Sequence, residues 1–215
     1  MNQKAALFPT IFAIAMAVAS IGIPIPGTIS GTPWLMATHS QFINATNQMT
    51  NVDTIAFYLW GLEYTVVGKT IQSKIALYDP FGDFPMFSMY MIIIAVIIAI
   101  FAIMSNRIPK IPIKGRDIDI KVYSNPMALL VISTMLMIVA AVYLYYSSNA
   151  TIIPALYDNN YNVRSGIGFQ FMGISVVGFL ISVVITYINA RTEEKEEKEE
   201  EDEEVESFQE AVYGY

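Results

Sequence analysis

The chain of 215 residues has no cysteine and one histidine, His39. The first absence excludes disulfides and thiolate ligands. Together they leave no way to assemble a haem, copper or zinc site from nitrogen and sulfur donors, so neither metal nor cofactor is expected. Charge is scarce too, with 14% of residues charged against 54% hydrophobic, which is too apolar for an ordinary soluble domain. The formal charge of −7 belongs to the end of the chain, where 12 of the 19 acidic residues lie in 193–210. Residues 1–190 hold 9 basic and 7 acidic side chains and lack the clustered basic face of a nucleic-acid binder. There is no glycine-rich phosphate loop and no nucleophile–base pair, so no catalytic residue stands out and an enzyme is not expected.

What the chain has in quantity is long apolar runs. Four of them, 5–25, 84–105, 127–147 and 166–190, contain no Asp, Glu, Lys, Arg or His. Each has about 20 residues, the length a helix needs to cross a hydrocarbon core of about 30 Å. They predict a four-helix transmembrane domain over 1–190, followed by an acidic tail, 191–215. The first run is read as retained rather than as a cleaved signal: only Lys4 precedes it, Pro9 interrupts it, and no small-x-small cleavage site follows. The absence of ionisable residues from the spans speaks against a proton relay or a charge-coupled carrier.

Basic residues set the expected orientation. Lys4, then Arg107, Lys110, Lys114, Arg116 and Lys121, then Arg191, Lys195 and Lys198 fall on one side of the spans, nine of twelve in all. The positive-inside rule makes that side cytoplasmic, with both termini there, in a multi-pass protein of the cell membrane. Loops 26–83 and 148–165 then face outward. The two N-x-S/T sequons, at Asn44 and Asn149, lie in these outer loops and are candidate glycosylation sites.

The stretch "LWGLEYTVVGKTIQSKIALYDPFG", 59–82, alternates apolar and polar residues on both sides of Gly68-Lys69, as a β-hairpin does. An isolated hairpin is marginal, and a ladder cannot lie open in lipid. With "TPWLMAT" and "DTIAFYLW" as further strands, the expectation is a small extracellular antiparallel sheet standing on four helices. Trp34 and Trp60 are read as anchors of that sheet to the core or the bilayer surface rather than as ligand-binding groups. Asp79 and Asp83 flank the start of span two with Glu63 nearby in sequence. They could collect cations, with helix capping as the plainer role.

These features resemble the claudin and peripheral-myelin-protein superfamily of four-span proteins. Pro33-Trp34 stands where the family has its loop tryptophan, Gly61-Leu62 matches the start of its Gly-Leu-Trp motif, and Tyr78-Asp79 lies 17 residues beyond Gly61. "IIPALYDNNYNVRSGIGFQF" is similar to the family's second outer loop leading into a Gly-rich fourth span. The layout is shared over 1–190. The departures are Glu63 in the third motif position, a longer gap from Trp34 to Gly61, and both family cysteines missing. Val66 and Ile75 fall near the cysteine positions and are expected to face each other as an apolar pair, with Thr65 as the alternative partner of Ile75.

Small residues offer packing faces in span one, either Ala13, Ala17 and Ser20 or Ala15, Ala19 and Gly22, and in span four at Gly166, Gly168, Gly173 and Gly178. Span two, "MIIIAVIIAIFAI", is bulky nearly all round. The inner loop "IPKIPIKGRDIDIKV" reads as a short basic hairpin suited to anionic headgroups. The tail "EEKEEKEEEDEEVE" reads as disordered or transiently helical. Isoleucine-rich spans without cysteine and with Lys/Glu repeats fit a thermophile, such as an archaeon. The functional expectation is a structural, interacting membrane protein making lateral or cell–cell contacts through its outer loops, with Ile152, Ile153 and Leu156 as contact residues. Its partners would be the lipid bilayer and either further copies of itself or other membrane proteins. The alternative is a small accessory subunit of a respiratory or transport complex; a channel would need several protomers.

Overall fold

The computed structural model describes residues 4–22, 32–43, 48–66, 69–74, 84–105 and 125–214. Long helices carry a small sheet: α1 (Lys4–Ile21), β1 (Leu35–Ile43), β2 (Gln48–Tyr58), β3 (Gly61–Val66), β4 (Lys69–Lys74), α2 (Phe84–Ser105), α3 (Pro126–Ala150), α4 (Ile152–Asp158), β5 (Asn162–Ser165) and α5 (Ile167–Tyr213). Three segments, Pro85–Ser105, Pro126–Asp158 and Ile167–Thr192, are long and apolar enough to cross a membrane. At 18 residues α1 spans about 27 Å and runs along α5.

Local sequence explains where α3 begins. Asn125 accepts hydrogen bonds from the Met127 and Ala128 amides at 3.1 and 3.4 Å, and Pro126 takes the first helical position, where a missing N–H does no harm. At the other end α1 closes on Gly22, whose φ of +76° is one that glycine adopts without strain.

The bundle is apolar outside as well as inside. Its interior mixes small residues (Ala13, Ala17, Ala95, Ala99, Ser133, Ser175) with Ile92, Met137, Leu144, Met172 and Phe179, while Ile93, Ile94, Ile97, Ile100 and Phe101 of α2 point outward. Small residues allow close helix approach, and bulky apolar ones are at home against lipid. Of the two small-residue faces open to α1, the buried one is Ala13, Ala17 and Ser20. Three serine hydroxyls donate between helices, Ser88 to the Ala140 carbonyl (3.2 Å), Ser133 to Ala95 (2.7 Å) and Ser175 to Ala13 (2.8 Å). The α2–α3 and α1–α5 pairs are both antiparallel.

The sheet has five strands in the order β4-β3-β2-β1-β5, every neighbouring pair antiparallel. The expected hairpin is there as β3 and β4, and the two flanking strands as β1 and β2. The second connection between helices adds a short helix and the fifth strand, neither of which was anticipated. Phe87, Tyr90, Tyr143, Tyr145 and Tyr146 are exposed on α2 and α3 near the end of the bundle that carries the sheet, as an interfacial aromatic belt would be.

One expectation needs correction. Val66 does not face Ile75: its register partners are Asp53 and Lys69, and those of Thr65 are Thr54 and Thr70. The β3–β4 ladder runs from Gly61 opposite Lys74 to Val66 opposite Lys69, so no residue beyond Lys74 can face Val66 or Thr65. In the tail, α5 continues from the last span to Tyr213, the helical one of the two states expected there. No Pro or Gly interrupts 179–213, and Glu and Lys are good helix formers. The inner-loop hairpin, Ile75, Tyr78, Asp79, Asp83 and Asn44 lie outside the described residues.

Candidate interaction surface

At the foot of the sheet, Trp34 is 2% exposed and its ring lies 6.1 Å from that of Phe57. Its backbone links three elements: the Trp34 amide donates to the Phe57 carbonyl, and the Trp34 carbonyl accepts from the Gly166 amide, both at 2.8 Å. Gly168 donates to the Pro33 carbonyl at 2.8 Å. A Cβ at Gly166 would sit 2.1 Å from the Pro33 oxygen, so only glycine lets the start of α5 lie this close to the strand. The expected anchoring role of Trp34 is thus a place in the core. Trp60 turns the other way, stacks on Tyr58 (5.2 Å, 17°) and donates from Nε1 to the Gly22 carbonyl at 2.7 Å, tying the sheet to the end of α1.

Gly61 and Leu62 begin β3. Gly61 pairs with Tyr58 across the two-residue turn, and Leu62 packs against the core. Glu63 is 6% exposed and accepts a hydrogen bond from the Tyr58 hydroxyl at 2.9 Å, while its Oε1 has no partner. It is therefore held inside rather than at a cation-collecting mouth. Among the described residues no three His, Cys, Asp or Glu side chains gather as metal ligands.

The contact residues expected in the second connection are corrected by burial. Ile152 is 0% exposed, Leu156 5%, and Ile153 packs against the same cluster. Four residues apart on α4, Ile152 and Leu156 share one face, turned inward. The outward face of this connection carries Pro154, Tyr157 (58% exposed), Asp158, Asn159 and Asn160. Asn149 is exposed, but its side-chain nitrogen donates to the Tyr145 carbonyl at 2.8 Å in the last turn of α3.

One polar cluster escaped sequence reasoning because its members are far apart in the chain. His39 and Asp53 are register partners on β1 and β2, with Nδ1 and Oδ2 3.8 Å apart. Tyr161, just before β5, lays its ring 5.4 Å from that of His39, with Tyr64 of β3 and Asp53 near enough to act on its phenol. Burial first, then Tyr64 and Asp53, push the Tyr161 phenol up to about 12. The only available signal was alternation: Leu35, Ala37 and His39 share a face, as do Phe57, Ile55 and Asp53.

The arrangement defines a membrane protein in which apolar helices carry one antiparallel sheet assembled from both long connections. No protein-family model and no curated protein matches the chain.

Proposed function

We propose that this is a claudin-like structural membrane protein that touches neighbouring molecules through its sheet-bearing end, with both termini on the cytoplasmic side. The observation that carries the reading is the joining of both connections into one sheet above a bundle whose outer surface is covered with bulky apolar side chains. Such a layer is a rigid platform with no catalytic constellation among its described residues. Strands β4 and β5 are its edges, and edge strands are where sheets meet other chains. The outward candidates for contact are Tyr157 and Arg164, which replace the buried Ile152 and Leu156.

Native mass measurement on the detergent-extracted protein tests this directly. Homo-oligomers that survive deletion of 193–215 and weaken on Tyr157→Ser with Arg164→Ala support the reading. Fixed unlike subunits would instead make the chain an accessory subunit. Dependence on the tail, with the outer variant assembling normally, would make it an anchor for a cytoplasmic partner.

A further inference from the structure

The two faces of the sheet differ in content. Phe57 and Leu62 belong to the apolar core with Trp34, and His39 and Asp53, the one ion pair among the described residues, alternate onto that same face. The second face holds Ala56, Tyr58 and Glu63. Gly61 stands opposite Tyr58 and has no side chain, so the phenol can run along β3 to Glu63, where it donates to Oε2 at 2.9 Å. Glu63 is 6% exposed, and its Oε1 has no hydrogen-bond partner. A carboxylate taken out of water loses more than one phenol bond returns, unless a positive charge sits beside it. Two cations stand close in register. Arg164, Met36, Ala56 and Glu63 are successive partners in one row across β5, β1, β2 and β3, and Lys74 lies opposite Gly61. Yet Oε1 is bonded to neither, and the exposed Arg164 rests on the Met36 sulfur at 3.9 Å. On its other side the site meets more negative charge. The Tyr58 ring that bonds Glu63 also touches Gly22, with its Cδ1 3.1 Å from where a Gly22 Cβ would be. Gly22 closes α1, at the negative end of the helix dipole.

We propose that Glu63 Oε1 anchors a site for one alkali cation, Na+ or K+, between the second face of the sheet and the C-terminal end of α1. The groups on hand are hard oxygens, the Glu63 carboxylate and main-chain carbonyls, which suit a hard ion. One carboxylate balances one positive charge, and among the described residues no cluster of three ligating side chains forms that a divalent ion would take. The bound ion stiffens the joint between sheet and bundle that Trp60 makes with the Gly22 carbonyl. The site stands whether or not the outer layer makes intermolecular contacts.

Thermal unfolding of the full chain in detergent tests it, with NaCl or KCl exchanged for N-methylglucamine chloride at constant ionic strength. The midpoint should rise by about 3–6 °C for each tenfold of Na+ or K+ above its dissociation constant, as for a ligand of the folded state alone. Glu63→Gln keeps an acceptor for the Tyr58 hydroxyl and loses the charge, so its midpoint should be the same in all three salts. Arg164→Ala with Lys74→Ala removes the two cations nearest in register and should keep the parent's response. An equal midpoint for the parent in all three salts would overturn the site without recourse to any variant. So would a response that survives in Glu63→Gln. A response that appears only once Arg164 and Lys74 are gone would overturn it too, by making one of those side chains the counter-charge.

Discussion

Ile152 separates a residue that holds the outer layer together from one that holds molecules together. It is fully buried, in one cluster with Trp34, Leu35, Phe57 and Leu156. It lies beyond α3, on α4, and with α4 in the outer connection, as the proposed topology has it, the unfolded alternative for the side chain is water and not lipid. The soluble-protein scale therefore applies, and Ile152→Ala should destabilise by about 2–5 kcal/mol, with Ile152→Val at about 0.5–1.5. Against a total of about 5–15 kcal/mol the first change is severe. Tyr157→Ser, at an exposed position on the same helix, should stay within about 0.5 kcal/mol. Denaturant unfolding in a fixed detergent, followed by tryptophan fluorescence, reads all three, because Trp34 sits in the affected cluster. The reasoning is refuted if Ile152→Ala unfolds like the parent yet loses its oligomers. The side chain would then lie at an interface between molecules.

Three further outcomes follow from the geometry. Gly166→Ala should destabilise by about 1–3 kcal/mol or more, since the added methyl meets backbone, whereas Gly173→Ala, with nothing within 4 Å, should be neutral or better; thermal unfolding compares the two. Thr38→Cys with Asn162→Cys should crosslink on oxidation, as register partners across the β1–β5 seam lie near disulfide distance, and a mass shift on reduction reads it. Because the folded phenol of Tyr161 titrates near 12 and an unfolded one near 10.0, its contribution to stability is complete below pH 10 and fades as pH rises from there through 12. The alkaline loss of stability should be smaller in Tyr161→Phe, as a denaturation series from pH 8 to 12 would record.

How much of this could be read from the residues depended on how local the signal was. Spans two and three announce themselves because twenty consecutive apolar residues leave a helix in lipid as the only choice, and their ends agree with α2 and α3 within a few residues. The β3–β4 hairpin was legible from alternation about Gly68-Lys69. The upper half of β1 was not: His39, Ser40 and Gln41 break the apolar alternation, and a bulge falls between the first two. β5 has four residues, too few for any period to show, and exists because β1 offers an edge. The expectation of Ile152, Ile153 and Leu156 as contact residues fails for a related reason. "IIPALY" displays its isoleucines prominently in sequence, but apolar residues in a water-facing connection are the first to be buried.

The apolar outer surface of the bundle sharpens where function can reside. Lipid is as apolar as the bundle's own interior, so burial adds little to the association of spans, and packing must rely on close approach and hydrogen bonds. The alanines, the serine bonds to Ala140, Ala95 and Ala13, and Gly178 against Ala13 supply these, leaving the spans committed to one another. In the sheet-bearing layer the solvent is water, and the hydrophobic effect acts at full strength on Trp34, Phe57, Ile152 and Leu156. The layer can therefore hold a stiff shape of its own while presenting an irregular polar exterior of Tyr157, Asp158, Asn162 and Arg164. In the proposed reading, specificity toward a neighbouring molecule has to come from that exterior, because the lipid-facing surface of Ile, Val and Phe offers the same contact to any apolar partner.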